Sequence, residues 1–103
     1  MANAPVYLLL AAGPEAPGQA AVWAQAAATG RPLRILLTAE GLAWATPPHR
    51  AALPDDADLA VCSQQARDAG WRASDAPEGV RWSSVATWLA ERDPAGPLWT
   101  VWP

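Results

Sequence analysis

Short apolar runs that alternate with segments of helical character constrain the fold of this chain more than any other feature. The first run is VYLLLAA at 6–12, and further runs lie at 33–38, 57–61, 80–82 and 98–102. A continuous apolar run without polar alternation is typical of a strand buried on both faces, as in a parallel sheet. The runs therefore predict five strands.

Helical segments separate several of these runs. We predict a helix over 17–29, because a proline suits its first turn and Gly30 suits its end, and we expect Trp23 on its apolar stripe to anchor the core. Two shorter helices are predicted, one capped by Ser63 and ended by Gly70, the other over 84–92. Residues 39–45 are expected to form a loop or a short helical turn.

This alternation predicts a single domain over residues 1–103, with a three-layer α/β/α arrangement. Its core is a mostly parallel sheet of about four to five strands, as in flavodoxin-like folds, with helices on both faces.

Composition narrows the expected partners and compartment. The 103 residues carry a net charge of −3, and the seven arginines form no run, so we expect no direct contact with nucleic acid. No segment approaches the length of a membrane span, and the first apolar run is short for a secretory signal. A lone cysteine suits a reducing interior. We therefore expect a cytoplasmic protein without a membrane partner.

Cys62 is the single cysteine, and it stands between an apolar run and a predicted helix. The carboxyl end of a parallel strand is where ligands gather, and the start of a helix favours the reactive thiolate. A single cysteine can form neither an internal disulfide nor a multi-cysteine metal site, so we expect no metal. The alternative is a buried, inert thiol that behaves as a small apolar side chain.

Residues near other predicted strand ends could line a pocket beside Cys62. Glu40 and Gly41 follow the second strand, although Gly41 could simply supply a left-handed turn. Gly13 follows the first strand, but no phosphate-binding glycine motif is present, so we expect no cofactor. Three residues of the predicted helix complete the possible pocket: Ser63, Gln65 and Arg67. His49, the only histidine, is expected to be a plain surface residue.

The seven tryptophans are many for one small core. Some of them could face a partner, since tryptophan often anchors interfaces, or they could all pack in the core. The members that raise this question are Trp44, Trp71, Trp82, Trp99 and Trp102.

Four segments together resemble the DsrE/TusD-like sulfur-relay family. They are YLLLAAGP at 7–14, ILLTAEGL at 35–42, Val61-Cys62 with Arg67 and Gly70 downstream, and Gly79-Val80 followed by SVATWL at 84–89. The resemblance extends over nearly the whole chain.

This resemblance implies a function as well as a fold. Active members of the family carry sulfane sulfur as a persulfide on one cysteine and pass it to a partner protein, and Cys62 matches that position. The chain would then be a possible sulfurtransferase that meets sulfur donor and acceptor proteins within a homo- or hetero-oligomer. Some relatives lack the cysteine and serve as structural subunits, so a non-catalytic interaction subunit with a structural Cys62 is the alternative.

Overall fold

Five parallel strands form one sheet at the centre of the protein. The computed structural model describes residues 4–102 and, for residues 19–21, 23 and 24, the backbone alone. The strand order is β4-β3-β2-β1-β5, and every pair of neighbours is parallel. The strands are β1 (Val6–Leu10), β2 (Leu33–Leu37), β3 (Asp58–Cys62), β4 (Val80–Ser83) and β5 (Leu98–Val101).

The expected α/β class, with its flavodoxin-like topology, is confirmed. Strands β2, β3 and β4 lie successively further from β1 on one side, and β5 pairs with β1 on its other side. The direction of winding therefore reverses at β1. In a right-handed crossover, the face that the helix covers depends on the direction in which the chain moves across the sheet. The crossover from β4 to β5 runs opposite to the earlier ones, so its helix lies on the opposite face.

Three α-helices flank the sheet, and short 3₁₀ helices fill the connections. The α-helices are α1 (Gln19–Ala28), α2 (Ser63–Asp68) and α3 (Val85–Ala90), and the 3₁₀ helices are Ala39–Ala45, His49–Ala52 and Ala73–Asp75. Each predicted helix is present, though shorter than expected at its ends. The packing predicted for Trp23 concerns a side chain outside the described residues.

Local signals explain most of these boundaries. Gly30 and Gly70 follow α1 and α2 in left-handed conformations, with φ of 66° and 89°, which glycine adopts without steric cost. Ser84 caps α3, because its Oγ accepts a hydrogen bond of 3.0 Å from the Thr87 amide. The cap predicted at Ser63 is wrong: α2 follows β3 without a break, so Cys62 is its N-cap residue and Ser63 its first helical residue.

The two faces of the sheet are covered unequally. One face holds the larger core, where α1, α2 and the first 3₁₀ helix pack on the side chains of all five strands. The other face holds a small cluster centred on Tyr7 and Trp88, whose rings meet edge to face at 5.6 Å. The single helix α3 covers this second face, and Leu89 and Leu98 stay exposed.

Charged side chains line the second face beside α3. Arg81 forms two hydrogen bonds of 3.2 and 3.0 Å to the carboxylate of Asp58, which also lies 3.8 Å from Arg34. Arg81 is also 3.8 Å from Glu91, the C-cap residue of α3. These pairs are exposed, so each contributes little stability, but together they connect three strands and the helix.

Most of the tryptophans pack in the core. Trp44 and Trp88 are buried, and three others are partly buried against the larger core: Trp71, Trp82 and Trp99. Trp102 follows β5 and is 64% exposed. Among the helices of residues 4–102, none has the length and apolar character needed to cross a bilayer.

Gly41 is predicted to tolerate no side chain, for steric and not conformational reasons. It lacks a positive φ, but a Cβ there would overlap the carbonyl oxygen of Leu10 in β1. Because backbone cannot yield as a side chain can, Gly41→Ala should lower the free energy of unfolding by about 3 kcal/mol or more.

Gly79→Ala is the matched control for this experiment. A Cβ at Gly79 meets nothing within 4 Å, and only its φ of 79° opposes the substitution. This variant should lose about 1–2 kcal/mol. Urea unfolding followed by circular dichroism measures both variants, and equal losses would contradict the steric argument.

Candidate functional site

The carboxyl ends of the strands present two separate features, a cavity over β1 and β2 and the thiol of Cys62 at the end of β3. The cavity has a volume of about 490 Å³, within the range of small-molecule sites. Its lining comes from the loop after β1 and from the connection between β2 and β3: Gly13, Pro14, Glu15, Ala16, Pro17, Glu40, Ala43 and His49.

Close backbone packing forms the wall of this cavity. Gly41 lies so near to Leu10 that no side chain fits between them, and a Cβ on Gly13 would come within 3.1 Å of the Glu40 carbonyl oxygen. The first 3₁₀ helix is thereby pressed against the end of β1. The two glycines have a packing role, so the alternative of a left-handed turn at Gly41 is wrong; the positive φ in this segment falls on Ala39.

Trp44 fixes the same wall through its side chain. It is buried, and its indole Nε1 donates a hydrogen bond of 3.0 Å to the carbonyl oxygen of Ala12, just beyond β1. The His49 ring lies against Trp44, with ring centroids 6.5 Å apart and planes inclined at 72°. His49 is therefore half-buried and held at the cavity, and is not the plain surface residue that we expected.

The charges of the cavity are acidic. Glu15 and Glu40 both line it, and within residues 4–102 neither forms an ion pair or a side-chain hydrogen bond. The rest of the lining is mostly alanine and proline. Across the same residues no three His, Cys, Asp or Glu side chains are grouped so that they could hold a metal ion.

Cys62 lies at the last position of β3, where it pairs with Ser83 of β4. It is a free thiol with 6% of its surface exposed. As the N-cap residue it directly precedes the first turn of α2, whose backbone amides have no partner within the helix. No side chain of the described residues caps these amides.

The structure divides the predicted pocket residues into two groups. Gly13 and Glu40 line the cavity and Gly41 packs behind its wall. Ser63, Gln65 and Arg67 belong to α2 beside Cys62, and none of them lines the cavity. The first group follows β1 and β2, whereas the second follows β3. We expected one pocket beside Cys62, and the cavity found does not include it.

Helix α2, which Cys62 precedes, carries one arginine, Arg67, in its last turn. The Arg67 guanidinium lies 5.7 Å from the centre of the Trp82 ring, a cation–π distance. Arg67 is exposed, while Ser63 and Gln65 are half-buried. The arginine thus covers the outer end of β4.

Sequence reasoning missed Glu15 and His49 as site residues. Both lie in connections that leave the carboxyl ends of β1 and β2, and the rule that ligands bind there would have drawn attention to them. What the sequence did not reveal is that the 13–17 loop and the second 3₁₀ helix approach each other in space.

Comparison with known proteins adds no identification. The chain has no significant match among protein-family models, curated proteins or solved structures.

The hydrogen bond from Trp44 is expected to stabilise the protein measurably. Trp44→Phe keeps most of the ring but leaves the Ala12 carbonyl without this donor, so the free energy of unfolding should fall by about 1–2 kcal/mol. Trp102→Phe, at an exposed position, should change it by less than about 0.5 kcal/mol. Urea titration of both variants tests the difference, and equal effects would show that the buried hydrogen bond contributes nothing.

Proposed function

We propose that this protein is a sulfur carrier, which holds sulfane sulfur as a persulfide on Cys62 and passes it to a partner protein. The observation that supports this most directly is the position of a free thiol at the carboxyl end of β3, beside the uncapped amides of α2. The resemblance of the segment around Cys62 to the cysteine segment of the sulfur-relay family supports the same chemistry.

The transfer step needs only one reactive group on this chain. The Cys62 thiolate attacks the outer sulfur of a donor persulfide, a new S–S bond forms, and the S–S bond of the donor breaks. The donor leaves as a thiolate that takes up a proton. One sulfur atom is transferred from the donor to Cys62 without net oxidation, so the step needs neither a metal nor a redox cofactor.

The backbone amides of the first turn of α2 would receive the negative charge of the persulfide. They point toward the N-cap position and lack partners within the helix. Arg67 lies one turn further along the helix, where its guanidinium forms a cation–π interaction with the Trp82 ring. We assign to the amides the main part in holding the persulfide.

Limited exposure defines how a partner must reach the thiol. Only 6% of the Cys62 surface is accessible. Side chains alternate along a strand, so Cys62 shares the face of Ala60, which α3 covers, and not the face on which α2 packs. We propose that local opening of the segments around the end of β3 exposes the sulfur, and that donor and acceptor proteins engage the sheet edge formed by β3 and β4. A reducing compartment, the cytoplasm, would keep the thiol free.

A second candidate function is a non-catalytic interaction subunit with the same fold. The burial of Cys62 favours it, because an inert thiol needs no exposure. Exposed Leu89, Leu98 and Trp102 would then serve as contacts with another chain.

Exposure to glutathione persulfide tests the carrier function directly. Intact-protein mass spectrometry should detect one added sulfur atom on the wild type, because Cys62 is the only thiol. The Cys62→Ser variant is the control and should gain no sulfur. Absence of the adduct from folded wild-type protein would reject the carrier function.

Alkylation kinetics separate the two candidate functions. For a carrier, iodoacetamide should label folded Cys62 at a rate within about 100-fold of the unfolded chain, since local opening exposes the sulfur. For a structural subunit, iodoacetamide should label Cys62 only in the globally unfolded chain. A labelling rate that follows the urea dependence of complete unfolding therefore supports the subunit.

A further inference from the structure

We propose that the cavity over β1 and β2 binds a small organic cation: a protonated amine or quaternary ammonium group attached to a compact apolar body. This site is distinct from Cys62 and goes beyond the sulfur-carrier function. The cavity of about 490 Å³ lies at the carboxyl ends of β1 and β2, between the loop that leaves β1 and the segment that follows β2. In open α/β sheets ligands bind outside the carboxyl ends of the strands.

The wall of the cavity is held in place before any ligand arrives. The Gly41–Leu10 contact and the Trp44–Ala12 hydrogen bond both join the first 3₁₀ helix to the end of β1. His49 is positioned in turn by its contact with Trp44. A site with a fixed wall loses less conformational entropy on binding than a mobile loop would.

The charges of the lining favour a positively charged ligand. Two carboxylates, Glu15 and Glu40, line the cavity without an ion-pair partner among residues 4–102, and no arginine lines it. Phosphates and carboxylates would be repelled. A cation is favoured, because each carboxylate would accept a charge-assisted hydrogen bond or an ionic contact from it.

The apolar part of the lining determines the remainder of the ligand. Alanine and proline side chains supply most of the other surface, and the His49 ring adds an aromatic edge. Apolar atoms of the ligand would bury against these groups. A bare metal ion does not match such a lining, and within the described residues no suitable ligand set is formed.

Benzylamine is a suitable probe, since it combines a protonated amine with an apolar ring. In ¹H–¹⁵N spectra of the whole chain, the amides of Gly13, Glu40 and Ala43 should shift in a saturable manner on titration. Benzyl alcohol and benzoate, which have the same ring, should bind at least about tenfold more weakly. Saturable shifts of equal affinity for all three compounds, or no shift at these amides, would overturn the proposal.

Charge-neutral variants locate the binding site. Glu40→Gln and Glu15→Gln should each weaken benzylamine binding about three- to tenfold. Glu91→Gln removes the same charge at the C-cap of α3, the helix on the second face of the sheet, and should leave the affinity unchanged. An equal loss in the control would mean that only net charge attracts the amine, and the proposed site would be rejected.

Two further variants separate the cavity from the thiol and from folding effects. Ala43→Leu, at an exposed lining position, should narrow the cavity and weaken benzylamine binding several-fold while the circular dichroism spectrum stays unchanged. Cys62→Ser should bind benzylamine as the wild type does, whatever the outcome of the persulfide experiment. An unchanged affinity in Ala43→Leu would show that the amine lies elsewhere.

Discussion

The close contact between the end of β1 and the first 3₁₀ helix is the interaction on which the rest of this structure depends. At Gly41 two backbones meet with no side chain between them, and Trp44 adds a buried hydrogen bond to Ala12 a short distance away. Because interiors are close-packed, such a contact fixes the position of everything attached to it. The wall of the cavity, the place of His49 and the path of the chain toward β3 all follow from it.

The unequal covering of the sheet follows from the order of its strands. Three successive steps outward from β1 leave their connections on one face, and only the return to β5 places a helix on the other. Tyr7 is central to that thinner face: its hydroxyl oxygen accepts a hydrogen bond of 2.9 Å from the Asp93 amide, and its ring packs against Trp88. Leu98, which pairs with Tyr7 in the sheet, stays exposed on this face.

Cys62 and the cavity use the same edge of the sheet in different ways. Cys62 ends β3 directly before α2 and is almost fully buried, so access to its sulfur requires a local movement of the chain. The cavity lies open over β1 and β2, with a wall that packing already holds. The proposed covalent transfer and the proposed reversible binding thus use separate strand ends.

The sequence by itself determined the strands, their parallel arrangement and the helix ends marked by Gly30 and Gly70, because apolar runs and glycine conformations are local properties of the chain. It also identified Gly13 and Glu40 as residues near strand ends, as the rule for α/β sheets implies. Only the tertiary structure decided that Gly41 serves close packing, that His49 belongs to a cavity, and that Cys62 is buried and lies apart from that cavity. Each of these depends on contacts between segments distant in sequence, and no local pattern records which of the strand ends become neighbours.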